Sequence, residues 1–132
     1  MSTHIIDLEY PFNIEDTLYS GQSFMWSNTL LGDRIHASVI DDKILILNQL
    51  TARVVELEFE GDRIDGRDAD GFIRNYFSLD VDLHDVFPER FRRRHPELWN
   101  LLQPYLELRV MRQDPFEAMV TFMCAQGIGM HL

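Results

Sequence analysis

The stretch Arg53-Val54-Val55-Glu56-Leu57-Glu58-Phe59-Glu60 decides the fold class. Val55, Leu57 and Phe59 alternate with Glu56, Glu58 and Glu60. A period of two sends the apolar set to one face of a strand and leaves a row of carboxylates in water. Just upstream, Lys43 to Leu47 (K-I-L-I-L) and Arg34 to Asp41 (R-I-H-A-S-V-I-D) are rich in β-branched and apolar residues, with Asp41-Asp42 between them as a turn. Asn28 to Asp33, ending in Gly32-Asp33, reads as a further turn region. Three or four consecutive strands joined by short turns predict an antiparallel meander.

After about Asp65 the period changes. Phe72, Ile73, Tyr76 and Phe77 fall at helical spacing within Asp68 to Phe77,. Leu79, Val81, Leu83 and Val86 continue as a short turn or helical piece. His95-Pro96-Glu97 opens a helix carrying Leu98, Trp99, Leu101 and Leu102. The strongest helix start is Asp114-Pro115-Phe116-Glu117. Asp114 can accept from the free N–H groups of the first turn, Pro115 loses nothing by lacking an N–H there, and Glu117 completes a capping box. Met119, Val120, Phe122 and Met123 extend this helix towards Gln126, with Gly127 expected to interrupt it. The reading is α+β.

The chain has 132 residues, 45% of them hydrophobic and 11% aromatic, which suits one domain or one domain with part of a second,. That aromatic content argues against disorder. No apolar run approaches the roughly 18 residues of a membrane span. Met1 to Glu9 has neither the basic start nor the apolar core of a signal peptide. A soluble, cytoplasmic protein is the expectation. The sequence stops at Gly129-Met130-His131-Leu132 as a new apolar stretch begins, so a cut chain is expected rather than a natural terminus.

The net charge of −10 argues at first against nucleic acid. The charge is uneven, however: residues 1–89 balance at −12 and residues 90–132 at +2. An acidic body with a neutral-to-basic end can still present an anion-binding face. Arg90 to His95 (R-F-R-R-R-H) is the basic cluster, and its plainer reading is a solvated charged loop. The single Cys124 excludes an intrachain disulfide, and in its apolar run it reads as a small buried hydrophobe. His4, His36, His84, His95 and His131 are scattered without metal-ligand spacing, so no metal and no cofactor are expected.

Two segments invite a functional reading. Tyr19-Ser20-Gly21-Gln22-Ser23-Phe24-Met25-Trp26 places a glycine, where a backbone can approach a ligand closely, beside two large aromatics,. In an extended segment Phe24 and Trp26 would share a face. Ala125-Gln126-Gly127-Ile128-Gly129 is a helix end with a Gly-x-Gly turn that could press against a partner. Each segment also fits plain punctuation, a helix end followed by a core strand or a loop.

Taken in order, Gly21-Gln22-Ser23-Phe24-x-Trp26, Tyr76-Phe77-x-Leu79-Asp80-Val81-x-Leu83, Leu108-Arg109-x-x-Arg112-Gln113-Asp114-Pro115-Phe116-Glu117 and Phe122-x-Cys124 resemble the N-terminal region of the 8-oxoguanine DNA glycosylases, members of the helix-hairpin-helix base-excision superfamily. The resemblance runs from about Phe12 to Leu132 and is weakest between Asn28 and Asp70. It implies an antiparallel sheet domain with packed helices over residues 1–90, similar to half of a TATA-binding protein. Residues 91–132 would begin an all-helical glycosylase domain. It implies double-stranded DNA with a damaged purine as partner, no membrane, and base recognition by Gly21, Gln22 and Phe24. Gly21 matches a glycine whose carbonyl meets the lesion. Gly127, Ile128 and Gly129 would form the loop that enters the DNA stack, and Arg112 and His131 are candidates for phosphate contact.

The loop departs from the family. Where eukaryotic members carry an asparagine that fills the hole left by the extruded base, this chain has Gly127, and Ile128 offers only apolar bulk. Another oxidised or alkylated purine would then be an alternative substrate. The family's helix-hairpin-helix, nucleophilic Lys and catalytic Asp lie beyond the position of Leu132, and Lys43 does not match that nucleophile. No catalytic residue is therefore expected among these 132 residues, which alone should cut nothing,. A stand-alone domain binding DNA or protein is the competing reading.

Overall fold

The computed structural model describes residues 1–28 and 34–128. Strands β1 (Ser2–Asp7), β2 (Ile35–Ile40), β3 (Lys43–Thr51) and β4 (Val54–Phe59) form one antiparallel sheet in the order β1-β4-β3-β2. The meander β2-β3-β4 is present, and β1 is added beside β4. The alternation in β4 has the consequence expected of it. Val55, Leu57 and Phe59 are fully buried, and Leu57 faces the buried Leu47 across the ladder. Asp41 and Asp42 turn the β2–β3 hairpin with φ of 54° and 57°, the left-handed pair that a two-residue turn between twisted strands requires. The turn region expected over Asn28–Asp33 lies largely outside the described residues.

The apolar face of the sheet is covered by α1 (Ile14–Leu18) and α2 (Ala69–Tyr76). Both helices carry side-chain caps: Asn13 accepts from Asp16 N–H and Asp68 from Gly71 N–H, satisfying donors that a helix start leaves free. Ile14, Leu18, Phe72 and Ile73 enter the core, where the rings of Phe12 and Phe77 lie 4.8 Å apart. Gln49, beside a bulge in β3, accepts from Ile14 N–H at 3.0 Å and donates to the Phe12 carbonyl, tying α1 to the sheet.

Three short helices follow: α3 (Leu83–Val86), α4 (Glu89–Arg94) and α5 (Pro96–Leu102). The basic run Arg90 to Arg94 is thus helical and not a loop. Phe91 packs against Phe87, Phe87 against Trp99, and the Arg92 guanidinium lies 5.4 Å from the Trp99 ring. That aromatic cluster organises a segment whose charge alone gave no helical period.

Residues 107–113 then return to the body as a strap. Asn13 N–H donates to the Glu107 carbonyl, Arg109 N–H to Thr17 Oγ1 and Arg112 N–H to the Tyr76 carbonyl, while Met111 is buried in the core. The strap delivers the chain to α6 (Pro115–Ile128). Asp114 Oδ1 accepts from the N–H groups of Phe116 and Glu117 at 2.8 and 3.1 Å. Gly127 does not interrupt α6, which runs on to Ile128. A single glycine costs only about 1 kcal/mol relative to alanine in a helix and is tolerated. Cys124 is exposed, against the expectation of burial. Helix α6 is apolar apart from Glu117, Thr121 and Gln126, and Phe116, Met119 and Met123 also stand exposed on it among the described residues. No helix of the described residues is long and apolar enough to cross a membrane.

Candidate functional site

The turn after α1 is built around Gly21. Tyr19 ends the helix, Ser20 Oγ donates to the Thr17 carbonyl at 2.9 Å, and Gly21 follows at φ 91°. That angle lies in the region that a Cβ disfavours, so glycine is the residue for this turn. Among the described residues no hydrogen bond is made to the Gly21 carbonyl.

Gln22 does the opposite and spends its polar groups on the chain. Its Nε2 donates to the Arg109 carbonyl at 2.7 Å and to Ser20 Oγ at 3.0 Å, and its Oε1 accepts from Met111 N–H at 2.7 Å. Both amide donors are therefore taken. The Gln22 carbonyl accepts in turn from Gln113 Nε2 at 2.5 Å.

Past Gln22 the chain bends at Phe24 and Met25, so Phe24 and Trp26 do not share a face as they would in an extended segment. Trp26 is buried and donates its indole N–H to the Tyr76 hydroxyl at 3.1 Å. Phe24 turns to α6, where its ring meets Phe122 edge to face at a centroid separation of 4.9 Å. The first segment singled out by sequence is thereby joined to α6, the helix that leads into the second. From Phe122 to Gly127 is about 7.5 Å of helix axis at 1.5 Å per residue. Gly127 and Ile128 belong to the last turn of α6, and Gly129 and His131 lie outside the described residues.

Beside this contact, between the β2–β3 turn, α2 and the start of α6, is a cleft of about 500 Å³. Met25, Phe72, Tyr76, Arg112, Gln113 and Glu117 are among its lining. Burial pushes the Tyr76 phenol up, and the Glu117 carboxylate adds to the shift. Glu117 thus faces the cleft, and among the described residues it makes no reciprocal capping bond back to Asp114. Arg112 donates to Asp80 at 2.8 Å and to Asn75 at 3.2 Å. The hydrogen bond from Arg112 holds the Asp80 carboxyl below the usual carboxylate range. Among the described residues no cluster of three or more metal-ligating side chains occurs. Sequence reasoning did not single out Gln113 or Tyr76 as site residues. Both residues stood only as members of the motifs that carry the resemblance, and Gln113 also as the residue directly before the Asp114 cap.

The fold has counterparts among solved structures. The apo 8-oxoguanine glycosylase/lyase of Clostridium acetobutylicum superposes with a TM-score of 0.69 at 22% identity, over 96% of this chain and 41% of that one. MBOgg1 in complex with a low-affinity DNA ligand gives 0.63 at 21% identity, over 96% and 43%. The Clostridium acetobutylicum enzyme bound to double-stranded DNA with cytosine opposite 8-oxoguanine gives 0.61 at 21% identity, over 92% and 42%. The chain spans about two-fifths of the length of these structures. Residues 5–119 match the family model of the 8-oxoguanine DNA glycosylase N-terminal domain, and with most of its length so matched this chain belongs to that family.

Proposed function

We propose that this chain is the lesion-reading part of a longer DNA glycosylase that excises oxidised guanine from duplex DNA by base flipping, with lyase activity supplied by residues beyond it. Residues 91–132 would open the helical domain of that enzyme, burying the apolar faces of α6 that the described residues leave bare. A helix whose apolar residues spread round most of its circumference is suited to an interior.

The observation that supports the reading is the Phe24–Phe122 contact, which ties the turn holding Gly21 to α6, while among the described residues no hydrogen bond is made to the Gly21 carbonyl. Normal guanine presents a bare acceptor at N7, whereas 8-oxoguanine carries a hydrogen there and is a donor. A fixed carbonyl attracts the lesion and repels the normal base. One hydrogen bond gained in a dry pocket, set against an acceptor–acceptor clash, is worth about 2–4 kcal/mol of discrimination. Glycine leaves room for the extruded base. Double-stranded DNA is the partner under this reading.

The test is excision by the full-length protein from a duplex containing 8-oxoguanine opposite cytosine, with borohydride trapping of the covalent intermediate. The expected result is a trapped complex and a cut strand from the full-length protein, and no product from the 132 residues alone. Product from this chain alone would contradict the placement of the chemistry beyond it.

A further inference from the structure

A carbonyl can tell a donor from an acceptor only if its direction is fixed. A peptide free to swing could turn its N–H to normal guanine as readily as its C=O to the lesion. Electrostatic recognition depends on dipoles held in place beforehand. Gly21 is the most freely rotating residue of its turn, so something else must hold it.

The residues on either side of it are pinned. On the N-terminal side, Ser20 Oγ is bonded to the Thr17 carbonyl at 2.9 Å and accepts from Gln22 Nε2 at 3.0 Å. On the C-terminal side, the Gln22 amide pairs with the strap through Arg109 C=O and Met111 N–H, both at 2.7 Å. Gln113 Nε2 then holds the Gln22 carbonyl at 2.5 Å. The strap is itself fixed to the core by the bonds from Arg109 N–H to Thr17 and from Arg112 N–H to the Tyr76 carbonyl. The Gly21 carbonyl belongs to the planar peptide between Gly21 and Gln22, and with Ser20 held on one side and Gln22 held at its side chain and carbonyl on the other, that peptide is anchored at both ends.

We infer that Gln22 and Gln113 are positioning residues that clamp the Gly21 peptide for base discrimination, and that Gln22 acts through this clamp and not by touching the base. The inference rests on the reading of Gly21 given above. Gln113 also stands directly before the Asp114 cap, so the same residue joins the base-reading turn to the start of α6.

The experiment uses the full-length protein with Gln113→Leu, which removes the donor, and Gln113→Glu, which sets an acceptor against the Gln22 carbonyl. Three quantities are measured: kcat/KM on 8-oxoguanine opposite cytosine, kcat/KM on guanine at the same position, and affinity for a duplex bearing a tetrahydrofuran abasic-site analogue, which has no base to read. Gln113→Leu is expected to lower kcat/KM on 8-oxoguanine about tenfold, equivalent to ~1.4 kcal/mol, with Gln113→Glu lower still and abasic-analogue affinity within about twofold of wild type for both. Wild-type kcat/KM on 8-oxoguanine in both variants, or equal loss on 8-oxoguanine and the abasic analogue, overturns the clamp. A wild-type protein that shows no preference for 8-oxoguanine over guanine instead removes the reading of Gly21, and the clamp with it.

Discussion

The rings of Phe24 and Phe122 meet edge to face with centroids 4.9 Å apart, joining the turn after the first helix to the last helix of the chain. The pair is not deep in the core, since Phe122 remains 41% exposed. Its strength therefore comes from ring geometry and partial burial. Edge-to-face pairs contribute about 0.5–1.5 kcal/mol beyond their area. A double-mutant cycle with Phe24→Ala and Phe122→Ala is expected to give a coupling of about 1 kcal/mol in chemical denaturation. A coupling indistinguishable from zero would remove the contact as the joint between the two segments.

The cap on α6 makes a second expectation. Asp114 Oδ1 satisfies two N–H groups of the first turn, so Asp114→Ala should cost about 1 kcal/mol and Asp114→Asn only a fraction of that. Equal denaturation midpoints for Asp114→Ala and wild type would refute the cap.

The Asp80–Arg112 pair predicts an acid-sensitive link between the segment after α2 and the strap. Arg112 depresses the Asp80 carboxyl, so the folded state favours the charged form. The stabilisation is present above the unfolded value of about 3.9 and is lost as pH falls through the lower folded value. Asp80→Asn should lower the melting midpoint at pH 7 and flatten its decline in acid. A variant with the same acid profile as wild type would contradict the pairing.

His36 predicts a loss at milder acidity. It is buried, its Nδ1 lies 2.9 Å from the Tyr19 hydroxyl, and burial lowers its pKa despite the opposing Glu15 carboxylate. Glu15 and Arg34 line the same shallow pocket. Above the ordinary imidazole value of about 6.5 the ring is neutral in both states. Below it the unfolded chain takes the proton first, so stability falls until the folded value is reached. His36→Gln should remove this component of the melting profile below about pH 6.5. An unchanged profile would show that His36 does not carry it.

The sheet was legible where burial alternates residue by residue, as in β4, and the helices where a cap coincides with apolar spacing, as at Asp68 and Asp114. Strand β1 was not read because only Ile6 of its six residues is buried, which leaves no alternation to see. Helix α4 was hidden by its arginines, since its organising contacts come from Phe87 and Trp99 in neighbouring elements. Cys124 looked buried because its neighbours are apolar, yet burial depends on what covers a helix and not on its composition. At the site, Gly21 and Phe24 stood out by residue type. The bonding of Gln22 to the strap was not legible, because it links positions far apart in sequence through backbone groups that every residue carries.

The central claim is that the Gly21 carbonyl reads the base. Its most direct measurement compares the wild-type full-length protein with Gly21→Ala for the ratio of kcat/KM on 8-oxoguanine to that on guanine. The φ of 91° is strained for alanine and its Cβ adds bulk at the turn,, so the ratio is expected to fall at least tenfold, about 1.4 kcal/mol, while binding to abasic-analogue DNA persists. An unchanged ratio would take the lesion contact away from Gly21.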